Sequence, residues 1–181
     1  MTEYFTEALV LDKMENKEAD GTVVFYSFNL GKVSAKARSL KKITSKLSAH
    51  LEPLNFVNVR LIEKNGFQVA DALTVNRQPE LRNDPDVLAK FLRIIQFIKT
   101  ATFELQPDQQ LYSAIKKIMF AKYDERQIYR LLLKILGFDP EFATCHFCNN
   151  EKTEYFLKED GIFLCRQCGG SKIKENEIVL V

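Results

Sequence analysis

At 181 residues, with 46% hydrophobic and 28% charged residues, the chain has a folded protein's composition and room for one domain or two small ones, which excludes disordered and fibrous classes. Its formal net charge of +2, from 26 Lys and Arg against 24 Asp and Glu, does not by itself indicate a nucleic-acid partner, so any such argument rests on where the charges lie. No run of about 18 apolar residues offers a membrane span. Glu3, with no basic segment ahead of an apolar one, argues against a secretory signal, so a cytoplasmic protein is expected.

The first 80 residues read as β. Ala8-Leu9-Val10-Leu11 is a short apolar run, and Thr22 to Phe28 is a second, rich in β-branched and aromatic residues. Asn29-Leu30-Gly31 makes a tight turn into Lys32-Val33-Ser34-Ala35-Lys36-Ala37, which alternates polar and apolar as a half-buried strand does. Ser45 to Leu51 is read as a helical turn. Between Asn55 and Thr74, Val57, Val59 and Leu61 alternate, Asn65-Gly66 supplies the residues of a type I′ turn, and Phe67 with Val69 resumes the alternation. Five short strands predict a five-stranded Greek-key barrel of the OB type over residues 1–80.

Asn83-Asp84-Pro85-Asp86 changes the regime, since Asp caps a helix whose first position takes Pro and whose first turn favours an acid. Leu88, Phe91, Leu92, Ile95 and Ile98 then keep the spacing of a core-facing helix. A second helix is predicted from near Pro107, with Leu111, Ile115, Ile118 and Met119 on one side. A third begins near Asp124, carries Ile128, Leu131, Leu132 and Ile135, and stops at Gly137 ahead of Pro140. The three are expected to bury a common core, giving a helical domain over 81–181 and an α+β chain overall.

All four cysteines lie within 24 residues, as Cys145-His-Phe-Cys148, sixteen intervening residues, and Cys165-Arg-Gln-Cys168. Two C-x2-C turns at this spacing predict a four-cysteine zinc module over 145–168, each turn aiming two thiolates at one ion. The segments Glu154 to Leu157 and Gly161 to Leu164 suit a hairpin between the turns, with Glu159-Asp160-Gly161 at its bend. Four thiolates leave no coordination position for water or substrate, so the Zn2+ is expected to be structural. Free thiols, disulfides and an iron-sulfur site are the competing readings. His146 inside the first turn is read as a packing or surface histidine, and His50 has no nearby cysteine and no apparent catalytic partner.

Gly31 to Lys46 holds six cations, Lys32, Lys36, Arg38, Lys41, Lys42 and Lys46, and no acid. Such a segment can meet phosphates and release counterions; a solvated loop is the equally weighted alternative. Phe25, Tyr26, Phe28 and Phe56 lie close enough in sequence to stack bases, but a small barrel is expected to use most of them as core. With two histidines, no phosphate loop and no His-x-Glu, the chain offers little material for an enzyme, a zinc hydrolase or deaminase included, and no turnover is expected.

With these parts in place the sequence resembles the RecO family of bacterial recombination mediators over nearly its whole length. The residues that carry the resemblance are Ala8-Leu9-Val10-Leu11, Leu30-Gly31-Lys32, Ala35-Lys36, Ser45-Lys46-Leu47, Leu51-Glu52-Pro53, and Leu132-Leu133 through Leu136-Gly137-Phe138-Asp139-Pro140. After them come Cys145-x2-Cys148, Tyr155-Phe156, Gly161 and Cys165-x2-Cys168. The resemblance implies an OB-fold that binds single- and double-stranded DNA and anneals complementary strands in DNA repair at the nucleoid. It also implies partnership with RecR and single-stranded-DNA-binding protein in loading RecA. The chain departs from the family in being shorter, and in Arg38 where the family often has glycine. A zinc-stapled adaptor that bridges proteins without touching nucleic acid is the alternative function.

Overall fold

The computed structural model describes residues 1–15, 20–38, 40, 46–77, 79–120, 123–170 and 178–181. It forms two compact units, Met1–Tyr112 and Ser113–Val181. The passage from strands to helices expected near residue 80 lies inside the first.

Five antiparallel or parallel strands build the first unit: β1 (Thr2–Glu15), β2 (Gly21–Ser27), β3 (Gly31–Ala37), β4 (Phe56–Glu63) and β5 (Phe67–Asn76). Their hydrogen-bonded order, β1-β2-β3-β5-β4, closes into a barrel because β1 pairs with β4 through Thr2 to Leu9 and with β2 from Ala8 onward. This double duty explains a strand much longer than its visible apolar run. Glu3, Phe5 and Glu7 alternate with Tyr4, Thr6 and Ala8, a pattern that an apolar-run reading passes over. A bulge between Val10 and Asp12 bends the strand from one partner to the other. Ala8, Val10, Val23, Phe25, Val33, Ala35, Val57, Val59 and Leu61 fill the interior.

The hairpin turn differs in one detail from its expectation. Asn65 (φ 53°) and Gly66 (φ 102°) have the positive φ that a primed turn requires, but Glu63 pairs with Phe67, so the loop has three residues, Lys64 to Gly66. A short helix α1 (Lys46–His50) follows the third strand. Leu51 and Leu54 behind it are fully buried, and buried Asn55 donates to the carbonyls of Ala49 and His50 while accepting from the Arg82 guanidinium. The His50 Nδ1 accepts from the Thr74 backbone N–H at 3.1 Å and so ties α1 to β5.

After α2 (Pro79–Arg82), α3 (Pro85–Ala101) starts as its sequence requires, with Asp84 accepting from the backbone N–H groups of Asp86 and Val87 and Pro85 at the first position. Its buried face is Phe91, Ile94, Ile95, Phe97 and Ile98, rotated from the expected stripe so that Leu92 is 40% exposed. The helix packs on β1, where Lys99 meets Asp12 at 2.5 Å, and the outward-facing Val24 and Tyr26 of β2 are buried. Thus α3 belongs to the barrel unit. On the barrel side its neighbour is the β1 wall, which a linear stripe does not reveal.

β3 shares only two residue pairs with β5, Ala35 with Phe67 and Lys36 with Gln68. Along the first half of the same edge lies the segment after α3. Lys32 and Glu104 form a parallel bridge, Leu105 N–H donates to the Lys32 carbonyl at 2.9 Å, and Glu104 accepts from the Ser34 hydroxyl at 2.8 Å. The segment covers backbone groups that an open edge would expose. Gly31 permits the approach: at φ +69°, a Cβ on it would stand 2.2 Å from the Gln106 carbonyl oxygen.

α4 (Gln109–Phe120) opens with Asp108 accepting from Leu111 N–H, and Leu111, Ile115, Ile118 and Met119 are buried as their spacing predicts. In the second unit α5 (Glu125–Ile135) begins with a reciprocal capping box between Asp124 and Gln127. It ends at Gly137 (φ 89°), where Phe138 N–H reaches back to the Leu133 carbonyl. Leu131 is 38% exposed, and Leu133 takes the core place expected of it. β6 (Tyr155–Leu157) and β7 (Ile162–Leu164) make the expected hairpin, with Gly161 at φ +65° in its bend. A third strand, β8 (Ile178–Leu180), joins the other edge of β6, and α6 (Arg166–Gly169) closes the second cysteine turn. Among the described residues no helix is long and apolar enough to cross a membrane.

Candidate metal centre and nucleic-acid surface

The first cysteine turn is closed by backbone bonds: Asn149 N–H donates to the Cys145 carbonyl at 2.8 Å, and Cys145 N–H to the Asn150 carbonyl at 2.8 Å. Asn149 has φ 56°, a left-handed conformation that its short polar side chain tolerates. In the second turn Gly169 N–H donates to the Cys165 carbonyl, and a Cβ on Gly169 would stand 2.5 Å from the Tyr155 ring. Tyr155 can therefore press the second turn against the hairpin only because residue 169 lacks a side chain. The result brings Cys145, Cys148, Cys165 and Cys168 together, with all four sulfur atoms within 4.8 Å of one another.

Cys148 Sγ lies 3.6 Å from Cys165 Sγ, far beyond the roughly 2.05 Å of a disulfide. Tetrahedral bonds of about 2.3 Å to a shared ion would set sulfurs about 3.8 Å apart, so the donors fit a metal of that kind. Their electrostatics point the same way. Burial raises the Cys145 thiol, but the backbone N–H groups of Cys165, Cys148 and Phe147 outweigh it and bring the group down to about 6. Cys168 is pushed up to about 12 by the neighbouring thiols of Cys148 and Cys165. Four sulfurs this close cannot all ionise without a cation among them. Cys145 and Cys165 are buried and Cys148 is exposed, so the cluster sits at the protein surface. His146 faces solvent, its N–H bound to the Phe163 carbonyl and its ring against Phe147, apart from the sulfur donors.

The six cations of the basic segment divide. Lys36 and Arg38 are exposed, following Ser34 along one side of β3. Lys32 lies on that side too, but its ammonium donates to the carbonyls of Lys99 (2.8 Å) and Thr102, the last turn of α3. A cation there complements the negative end of the helix. Sequence alternation placed Lys32 correctly on the face; that it serves the helix end depends on tertiary packing. Lys41 and Lys42 lie outside the described residues, and Lys46 opens α1 with its side chain likewise outside the description.

Of the aromatics near this face, Phe25, Tyr26 and Phe56 are buried and Phe28 is 36% exposed with its ring edge-on to Tyr112 at 5.5 Å. Burial and then the Asp108 carboxylate push the Tyr26 phenol up to about 12. Phe5, 69% exposed on β1 with the Arg60 guanidinium 6.0 Å from its ring, is a surface aromatic that an apolar-run reading left aside.

Residues 1–75 match the family model described as Recombination protein O N terminal. Along the chain, three similar curated proteins are each named DNA repair protein RecO. That of Thermodesulfovibrio yellowstonii is 28% identical over 179 residues, covering 93% of this chain and 71% of the relative. The Syntrophus aciditrophicus protein is 27% identical, covering 90% and 68%, and the Clostridium novyi protein 28%, covering 93% and 71%. The matched region coincides with the five-stranded barrel, and along nine-tenths of its length the chain is similar to proteins named DNA repair protein RecO.

Proposed function

We propose that this chain is a non-catalytic, DNA-binding recombination mediator of DNA repair, working in the cytoplasm at the nucleoid. In this reading it anneals complementary single strands and assists RecA loading together with RecR and single-stranded-DNA-binding protein. The observation that carries the reading is a closed five-stranded barrel, in the region matching the RecO N-terminal family, with the bare cations Lys36 and Arg38 on its outer β3 side. The strand order, with β3 and β5 parallel at the closure, favours the OB type. Lys41, Lys42 and Lys46 continue the basic segment, and Lys32 supports it from the end of α3. A Zn2+ held by Cys145, Cys148, Cys165 and Cys168 has no open position for substrate and supplies structure alone.

The test is a salt titration of single-strand binding on two unrelated oligonucleotides. If about four phosphates are neutralised, the log–log slope is about −3, and affinity falls roughly 50-fold between about 50 and 200 mM salt. Replacing Lys36, Arg38, Lys41 and Lys42 by Ala weakens both oligonucleotides about equally and flattens the slope, because phosphate contacts carry little base information. An unchanged slope in a folded variant moves the DNA site elsewhere. Failure of the unaltered protein to bind DNA at low salt leaves a zinc-stapled protein adaptor as the function.

A further inference from the structure

β5 meets β3 only at Ala35 and Lys36, so the seam of the barrel leaves the edge from Lys32 to Ser34 without a strand partner. At Ser34 that edge is bound by a carboxylate. Glu104 accepts from the Ser34 backbone N–H at 3.3 Å through one oxygen and from the Ser34 hydroxyl at 2.8 Å through the other. Gly31 to Lys46 holds no acid of its own, and this one comes from 70 residues along the chain. An N–H and an O–H directed at two oxygens of one anion suit a phosphate as well as a carboxylate. Lys36 stands two positions on, on the same exposed side of β3, with exposed Arg38 just past the strand's end, so an anion at Ser34 lies at the head of a row of cations.

The segment that carries Glu104 is lightly held. Phe103 is 73% exposed and Leu105 51%, so apolar burial does little to fix it, and Leu105 has φ 56°, a left-handed conformation that is costly for a side chain. It keeps its place on β3 through polar bonds, that from Leu105 N–H to the Lys32 carbonyl among them.

We propose that Ser34 is a phosphate-binding position of the barrel face, and that Glu104 occupies it in the free protein as an internal stand-in that a DNA phosphate must displace. The proposal rests on the DNA-binding reading above and names one contact within it. The carboxylate keeps weakly bound anions off the basic strand, whereas DNA held also by Lys36 and Arg38 displaces it. Only the Glu104 side chain has to swing out. The bond from Leu105 to Lys32 is made by backbone and stays.

The test is a double-variant cycle on the full chain, read by binding of a single-stranded oligonucleotide at about 50 mM salt. Glu104→Gln keeps an oxygen for the Ser34 donors but removes the charge. A neutral hydrogen bond is roughly half as strong, so this variant yields the position more readily and binds the strand about tenfold tighter. In a Ser34→Ala background the same change gains no more than about threefold, since the hydroxyl that would donate to the phosphate is gone. NMR supplies the second measurement: a saturating strand shifts the Ser34 backbone N–H resonance and leaves that of Leu105 in place. Circular dichroism melts matching the unaltered protein verify that each variant is folded. If Glu104→Gln gains nothing, gains equally without the Ser34 hydroxyl, or the Ser34 resonance stays fixed at saturation, this inference is overturned and the barrel's role stands. If neither the unaltered protein nor Glu104→Gln binds DNA at low salt, the reading beneath it fails as well.

Discussion

Gly31→Ala should be among the most damaging single-atom-group changes in the barrel unit, for reasons that can be added up. The backbone at residue 31 has φ +69°, and placing a side chain in that left-handed region costs about 1 kcal/mol. The new Cβ also stands 2.2 Å from the Gln106 carbonyl oxygen and 2.8 Å from Pro107 N, backbone atoms that cannot swing aside, so the 104–107 segment must leave β3. That removes the Leu105-to-Lys32 backbone bond and the Ser34–Glu104 bond, and strains the Lys32 cap on α3. At about 1 kcal/mol for each, the total loss is roughly 3–4 kcal/mol, or about 10 °C in the melting temperature of a chain this size. Gly66→Ala is the control: its φ is +102°, at least as demanding, but nothing lies within 4 Å of the new Cβ. Thermal melts by circular dichroism, with hydrogen exchange at Lys32 to Ser34 and Leu105, compare the two. Equal melting temperatures for the two variants would refute the argument that the docked segment, and not turn strain, makes residue 31 glycine.

Chelating zinc, or Cys165→Ser, is expected to loosen the chain from about residue 140 onward while the β1–β5 amides keep their protection, since metal binding is coupled to folding of the module and is worth about 10 kcal/mol or more; metal analysis finding no zinc in folded, reduced protein would sink this. Alkaline unfolding tests the Tyr26 environment. A phenol raised from 10 to about 12 in the folded state contributes stability fully present below pH 10 and lost as pH rises through 12, a change on the order of 2 kcal/mol. Urea midpoints measured across that window should fall, and Tyr26→Phe should make the fall smaller; an identical fall in the variant would place the titrating group elsewhere.

Local chemistry made much of this protein legible from its residues. Asp84 before Pro85, Asp124 with Gln127, and Gly137 at a left-handed cap act through neighbours three or four positions away, so helix ends can be read along the chain. The four-cysteine cluster is legible for the same reason: each C-x2-C turn is built by bonds between residues at most five apart, as Cys145 N–H to the Asn150 carbonyl shows. Long-range pairing decided the rest. The length of β1 depends on two separate partners, and β8 depends on β6, more than twenty residues before it. Lys32 looked like any other cation of a basic strand until α3 set two carbonyls within reach of its ammonium, about seventy residues along the chain. An alternating pattern states which side of a strand a residue occupies; which element covers that side is decided by packing, and so only the tertiary structure separates the lysine that caps a helix from Lys36 and Arg38, which remain open to solvent.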